Sequence, residues 1–163
     1  PHPVILYNVP GRTGSNMNAD TVLRLANEVE NIGGIKEASG NMIQCMHLLK
    51  NRPANFFFFF GDDHLTLPLI ACGMDGVIRV AANCFPKDFS QMVKYCLAGD
   101  FEKAKPLHYK CLEGNDLLFA ENNPAGVKAF LFEMGLIENV LRLPLVPLST
   151  PVHAKLKNYL NQY

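Results

Sequence analysis

The sequence carries no excess charge of either sign: 15 basic side chains balance 15 acidic ones. That removes the electrostatic case for a nucleic-acid partner or an anionic membrane surface. No apolar run approaches the roughly 20 residues that cross a bilayer. The N-terminal Pro1-His2-Pro3-Val4 lacks the basic segment and long apolar core of a secretory signal, and opens almost at once into an apolar run, as though entered partway through a fold. The five cysteines (Cys45, Cys72, Cys84, Cys96 and Cys111) contain no Cys-x-x-Cys pair. An odd, scattered set argues against a disulfide framework or a zinc knuckle, and sets a reducing cytoplasm as the expected location. Charged residues make up only 18% against 48% hydrophobic. That excludes a disordered polyelectrolyte and leaves 163 residues able to bury a sizeable core.

Four short apolar runs are each followed by a turn and a segment of helical spacing. They are Val4–Tyr7, Ile32–Lys36, Phe56–Phe60 and Gly76–Val80. The helical stripes between them comprise Val22, Leu25, Ala26 and Val29, then Met42, Ile43, Met46 and Leu49, then Leu65 to Ala71, then Phe89, Met92, Val93, Cys96 and Leu97. Strand, turn and helix repeated four times predict parallel strands joined by helical crossovers. Nearly continuous apolar strands fit a sheet buried on both faces. Beyond Gly99 only helical signals remain: Asp100 to Leu118 with Pro106 inside, Pro124 to Gly135, and Thr150-Pro151 onward. The prolines of Arg142–Pro147 predict an extended segment. The class is α/β, with residues 1–99 forming the βα units and residues 100–163 a C-terminal helical region.

Functional groups of parallel α/β folds gather at the C-terminal ends of the strands. Tyr7, Lys36 and Asp62-Asp63 occupy that position. A lysine in an apolar run is either a strand-end side chain that snorkels to water or an amine facing a dry interior. Desolvation disfavours the ammonium form, so an interior amine is available to attack a carbonyl. Tyr7 is either a proton relay or a core aromatic with a satisfied hydroxyl. Arg12, after a Pro-Gly turn, is a loop side chain that water solvates or a fork for a substrate carboxylate. Asp63 is placed to cap the helix after the third strand. Asp62-Asp63 has no nearby His or Glu spacing to make a metal site, and the five histidines form no ligand pair.

Together these residues resemble one family. Tyr7-Asn8-Val9-Pro10-Gly11-Arg12-Thr13-Gly14 is similar to the YNVPxRTG signature of the dihydrodipicolinate synthases, and Gly34-Ile35-Lys36-Glu37-Ala38-Ser39-Gly40 resembles their Schiff-base lysine motif. Gly61-Asp62-Asp63, Gly76-Val77-Ile78, Glu121-Asn122-Asn123-Pro124 and Leu141–Leu145 follow in the family's order. The resemblance implies a class I, pyruvate-dependent (β/α)₈ TIM-barrel lyase of lysine biosynthesis, with this chain holding the second half of the barrel from the fifth strand. It implies Lys36 as the imine-forming residue, Tyr7 as proton shuttle, Arg12 as the ligand of the aspartate semialdehyde carboxylate, and the Ile78 backbone as a support for the pyruvyl unit. It implies no metal and no cofactor beyond the covalent imine.

A complete barrel of this kind takes about 250 residues. The family's first four βα units, with their pyruvate-carboxylate loop and second tyrosine, have no counterpart among these 163 residues. Four strands leave two edges open, which predicts association with another copy or another half-barrel. Phe56–Phe60 is bulkier than the family's aliphatic run, and Arg79 stands in place of a small polar residue. Other readings are a different pyruvate aldolase and a half-barrel that assembles without catalysis.

Overall fold

The computed structural model describes residues 2–61 and 63–163. The expectations placed on Asp62 and on the Asp63 side chain lie outside the described residues. In chain order the elements are β1 (Val4–Asn8), α1 (Pro10–Thr13), α2 (Ala19–Glu28), β2 (Ile32–Glu37), α3 (Met42–Asn51), β3 (Phe57–Phe60), a 3₁₀ turn (Asp63–Leu65), α4 (Thr66–Ala71) and β4 (Gly76–Val77). Helices alone follow: α5 (Ala81–Cys84), α6 (Pro86–Leu97), α7 (Phe101–Phe119), α8 (Ala125–Glu133) and α9 (Thr150–Gln162). The strands form one parallel sheet in the order β1-β2-β3-β4. Helices α2 and α3 start where Asn18 and Asn41 accept the amides of Thr21 and Gln44, at 2.9 and 3.1 Å.

The chain falls into two compact units, residues 1–79 with 93–101 and residues 80–92 with 102–163. The first unit holds the sheet. Its register places Tyr7, Lys36, Phe59 and Gly76 in one row and Asn8, Glu37, Phe60 and Val77 in the next. Successive residues of a strand point to opposite faces. One face therefore carries Ile35, Glu37, Phe58 and Phe60, all buried. The other carries Ile5, Tyr7 and Phe57, all exposed, and Phe57 stacks on Phe59 with ring centroids 6.1 Å apart. The phenylalanine run thus serves two surfaces, with Phe58 and Phe60 in the core and Phe57 outside it. Each fully buried ring contributes roughly 1.5–3 kcal/mol. At the opposite end of the strands Asp75 anchors the sheet: it pairs with Arg52 through both carboxylate oxygens and accepts the Phe58 amide at 2.7 Å.

The second unit packs α8 against α5 and α9. Phe85 meets Phe130 edge-on at 5.4 Å between centroids, and the Ser149 amide donates to Glu121 at 2.7 Å. Pro106 lies inside α7, and Gly135 follows α8 in the left-handed region, φ 72°.

Four local expectations are corrected. The third strand begins at Phe57, because the Phe56 amide turns back to Pro53 O at 3.1 Å. The fourth strand ends at Val77 rather than Val80. After the Ile78 amide donates to Phe60 O at 3.2 Å, the chain leaves the sheet, and buried Arg79 donates to Thr66 Oγ1 of α4. The apolar stripe of α3 does not face inward: Ile43 is 77% exposed, and Met46 is also exposed, while Cys45 and Leu48 are buried. Arg142–Pro147 contains a tight turn, with the Leu145 amide donating to Arg142 O at 3.0 Å across the cis Leu143–Pro144 bond.

Candidate active site

Parallel pairing brings Tyr7 and Lys36 side by side at the C-terminal ends of β1 and β2. Both project from the open face, since Asn8 and Glu37, their immediate successors, point to the covered one. Lys36 Nζ sits 4.2 Å from the Tyr7 ring centroid, a distance at which the ring quadrupole attracts a cation. Tyr7 is 47% exposed, so it is not a core aromatic. Lys36 is half-buried, its stem lying close to Gly61: an added Cβ there would stand 3.1 Å from Lys36 Cε.

Beneath the pair lies a polar cluster that strand periodicity did not flag. The Glu37 carboxylate is fully buried. It accepts Asn8 Nδ2 at 3.1 and 2.9 Å, the Ser39 amide at 2.6 Å and Gln44 Nε2 at 3.0 Å. Asn8 Oδ1 accepts the Met17 amide at 3.0 Å, and Asn16 donates to Gln44 Oε1 at 3.0 Å. Glu37 also adds to the effect of burial on a neighbour: desolvation, then the carboxylate's charge, push the Cys45 thiol up to about 12. The available signal was positional. Asn8 and Glu37 are polar residues at the last covered position of two apolar strands.

Arg12 is exposed in the last turn of α1. The structure thus brings Tyr7 and Lys36 together, with Arg12 exposed on the short helix that follows β1. Ile78 follows β4, exposed, with its amide tied to Phe60 O. A cleft of about 420 Å³ lies beside the pair, lined by Tyr7, Asn8, Thr13, Asn16 and Asn18. Lys36 does not line it, and its side chain rises from the open face. Among the described residues no three His, Cys, Asp or Glu side chains gather to hold a metal ion, and no helix is long and apolar enough to cross a membrane.

Comparison with known proteins matches this arrangement along its whole length. The sequence profile of the Dihydrodipicolinate synthetase family fits residues 1–163. The chain belongs to this family. A 4-hydroxy-tetrahydrodipicolinate synthase from Phocaeicola vulgatus is 55% identical over 160 residues, which cover 98% of this chain and 54% of that protein. Dihydrodipicolinate synthase from Aquifex aeolicus superposes with a TM-score of 0.95 at 38% identity, covering 99% of this chain and 55% of the other. The chloride-inhibited Acinetobacter baumannii dihydrodipicolinate synthase, solved in complex with pyruvate, gives 0.93 at 42% identity, covering 98% and 54%. The chain spans about half the length of the relatives it matches, and its four βα units with the helices after them are the corresponding half of the synthase TIM barrel.

Proposed function

We propose that Lys36 captures pyruvate as an imine and that the reaction served is condensation with aspartate semialdehyde to 4-hydroxy-tetrahydrodipicolinate, on the route to lysine. The observation that carries the reading is the Lys36 amine held 4.2 Å over the Tyr7 ring at the C-terminal strand ends, within a chain of this family. The amine adds to the keto carbon, and loss of water leaves the imine. The protonated imine is an electron sink, so a methyl proton can leave and the resulting enamine attacks the aldehyde carbon. Cyclisation through the substrate's own amine then frees Lys36. This route calls for no metal and no organic cofactor.

Tyr7, whose ring lies beside Lys36, serves as the proton shuttle as water leaves and as the ring closes. The exposed Arg12 guanidinium is suited to a bidentate grip on the semialdehyde carboxylate, and the Ile78 backbone supports the pyruvyl group. The five cysteines are free, which suits a cytoplasmic setting. The open face, with Ile5, Tyr7 and Phe57 exposed beside edge strands β1 and β4, supports association with a second copy or another half-barrel.

Borohydride added to the folded chain with pyruvate tests the proposal. A reduced pyruvyl adduct mapped to Lys36 by mass spectrometry, absent in Lys36→Arg, is expected. An unmodified Lys36 in folded protein would leave a half-barrel that assembles without imine chemistry. Turnover with aspartate semialdehyde in the associated protein, lost in Arg12→Ala, separates this synthase from other pyruvate aldolases.

A further inference from the structure

The covered faces of β1 and β2 are hydrocarbon except at their last position, where Asn8 and Glu37 meet. A sheet needs no charge there to fold, as Ile35 and Phe58 on the same face show. A buried carboxylate is expensive unless hydrogen bonds replace its water. Here the replacement is complete in an unusual way. Among the described residues no cation pairs with Glu37. Its oxygens are held by N–H groups from three separate segments: the Asn8 amide on β1, the Ser39 backbone after β2, and the Gln44 amide in the first turn of α3. Asn8 is itself clamped by the Met17 amide at 3.0 Å and by Asn16 Oδ1 at 2.9 Å. The backbone closes the same joint, with Ala38 N on Asn8 O at 2.8 Å and Gly61 N on Glu37 O at 2.7 Å. Charge-assisted bonds of this kind are shorter and more directional than neutral ones, and a buried polar group is best attested as a device that fixes register.

We infer that Glu37 is a positioning residue, whose caged carboxylate locks the ends of β1 and β2 together on the covered face so that Lys36 stands over Tyr7 on the open one. The inference rests on reading Lys36 and Tyr7 as the reacting pair. Asn8 and Glu37 are the next register pair after Tyr7 and Lys36. Any splay between them therefore transmits to the amine and the ring with almost no lever arm between. Replacement by Gln presents an amide NH₂ to a site furnished only with donors, so one contact becomes a donor–donor clash and the two strand ends separate.

The test uses a signal that depends on geometry alone. Reductive ¹³C-methylation of the lysines, with Lys36→Arg to assign the peak, places a reporter at the Lys36 nitrogen. A group above a ring face is shielded, so its resonance is displaced upfield, and Tyr7→Leu removes the displacement. Glu37→Gln is expected to lose roughly half of it or more, as a site loosened by loss of its supporting shell does. Leu48→Ala, which removes buried hydrocarbon from the helix that carries Gln44, is expected to keep it. The inference is overturned if the wild-type signal shows no displacement, if Glu37→Gln retains it in full, or if Leu48→Ala loses as much. Should Glu37→Gln fail to fold, Asn8→Ser decides by the same criteria, since it removes the donor from β1 while the carboxylate keeps its Ser39 and Gln44 donors. Pyruvate trapping in unmethylated portions of the same preparations, where Lys36 keeps its primary amine, separates the two ideas. No adduct in a wild-type protein that shows the full displacement removes the proposed reaction and leaves the positioning role standing.

Discussion

Gly61 and Lys36 are in contact in a way that only glycine permits. A Cβ at position 61 would stand 2.8 Å from the Ala38 Cβ and 3.1 Å from Lys36 Cε. The first distance is between two rigidly placed atoms, so the neighbour cannot yield by rotating a side chain. The chain end of β3 is therefore shaped around the lysine stem, with the Gly61 amide bonded to Glu37 O. The glycine is required by close approach and not by a left-handed backbone.

Gly61→Ala is accordingly expected to displace Lys36 rather than merely fill space. Overpacking at such a site costs about 1–3 kcal/mol, and misplacing a reacting group by about 1 Å lowers its rate by up to about a hundredfold. The folded variant should trap pyruvate at least roughly tenfold more slowly than wild type in single-time-point borohydride assays. Equal trapping would show that the lysine stem does not depend on the space Gly61 leaves.

Tyr7→Phe separates the ring from its hydroxyl. The ring that lies 4.2 Å from Lys36 Nζ is kept, so the upfield displacement of the methylated Lys36 signal should persist. Proton transfer should not: loss of a positioned acid–base group lowers rates by about 10²–10⁴. The measurement is the rate of pyruvate capture on the unmethylated protein beside the NMR shift on a methylated portion of the same preparation. Unchanged capture would assign Tyr7 a role in packing the amine only.

The parallel sheet and the placing of Tyr7 and Lys36 at the C-terminal ends of their strands were legible because both follow from local pattern: apolar runs, and the turn residues that close them. The inward face of α3 was not. Its apolar stripe of Met42, Ile43, Met46 and Leu49 suggests one face, yet Cys45 and Leu48 are the buried pair. The rotation is set by Gln44, whose amide reaches Glu37 and Met17 O. A polar residue can be the inward one when its partner is a buried carboxylate, and that partner lies on a different element. The same holds for β4, which stops at Val77 as Arg79 turns to Thr66. Such contacts between elements leave no periodic trace.

The phenylalanine run offers a direct check on the face assignment. Phe58 is fully buried, whereas Phe57 is 56% exposed on the opposite face. Phe58→Ala should cost about 3–5 kcal/mol by urea unfolding, since it removes a ring from the core. Phe57→Ser should change stability by no more than about 0.5 kcal/mol and should reduce association through the open face, read by sedimentation velocity at several concentrations. A larger penalty at Phe57 than at Phe58 would reverse the register-based assignment.

Acid should weaken the anchor at the far end of the sheet. Burial raises the Asp75 carboxyl. The Arg52 hydrogen bond, the Phe58 amide and the Arg52 charge outweigh that and hold it below the usual carboxylate range. A carboxyl depressed in the folded state binds its proton more readily in the unfolded chain. Its contribution is therefore complete above the unfolded value, about 3.9, and is lost as pH falls from there through the folded value. Urea midpoints measured from pH 7 down to pH 3 should decline through this window in wild type. In Asp75→Asn the neutral-pH midpoint should already be lower, because a hydrogen bond to a charged partner contributes about 1.5–3 kcal/mol. The acid-dependent part of the decline should shrink with it. Parallel curves for the two proteins, offset but equal in slope, would place the acid sensitivity at other carboxylates.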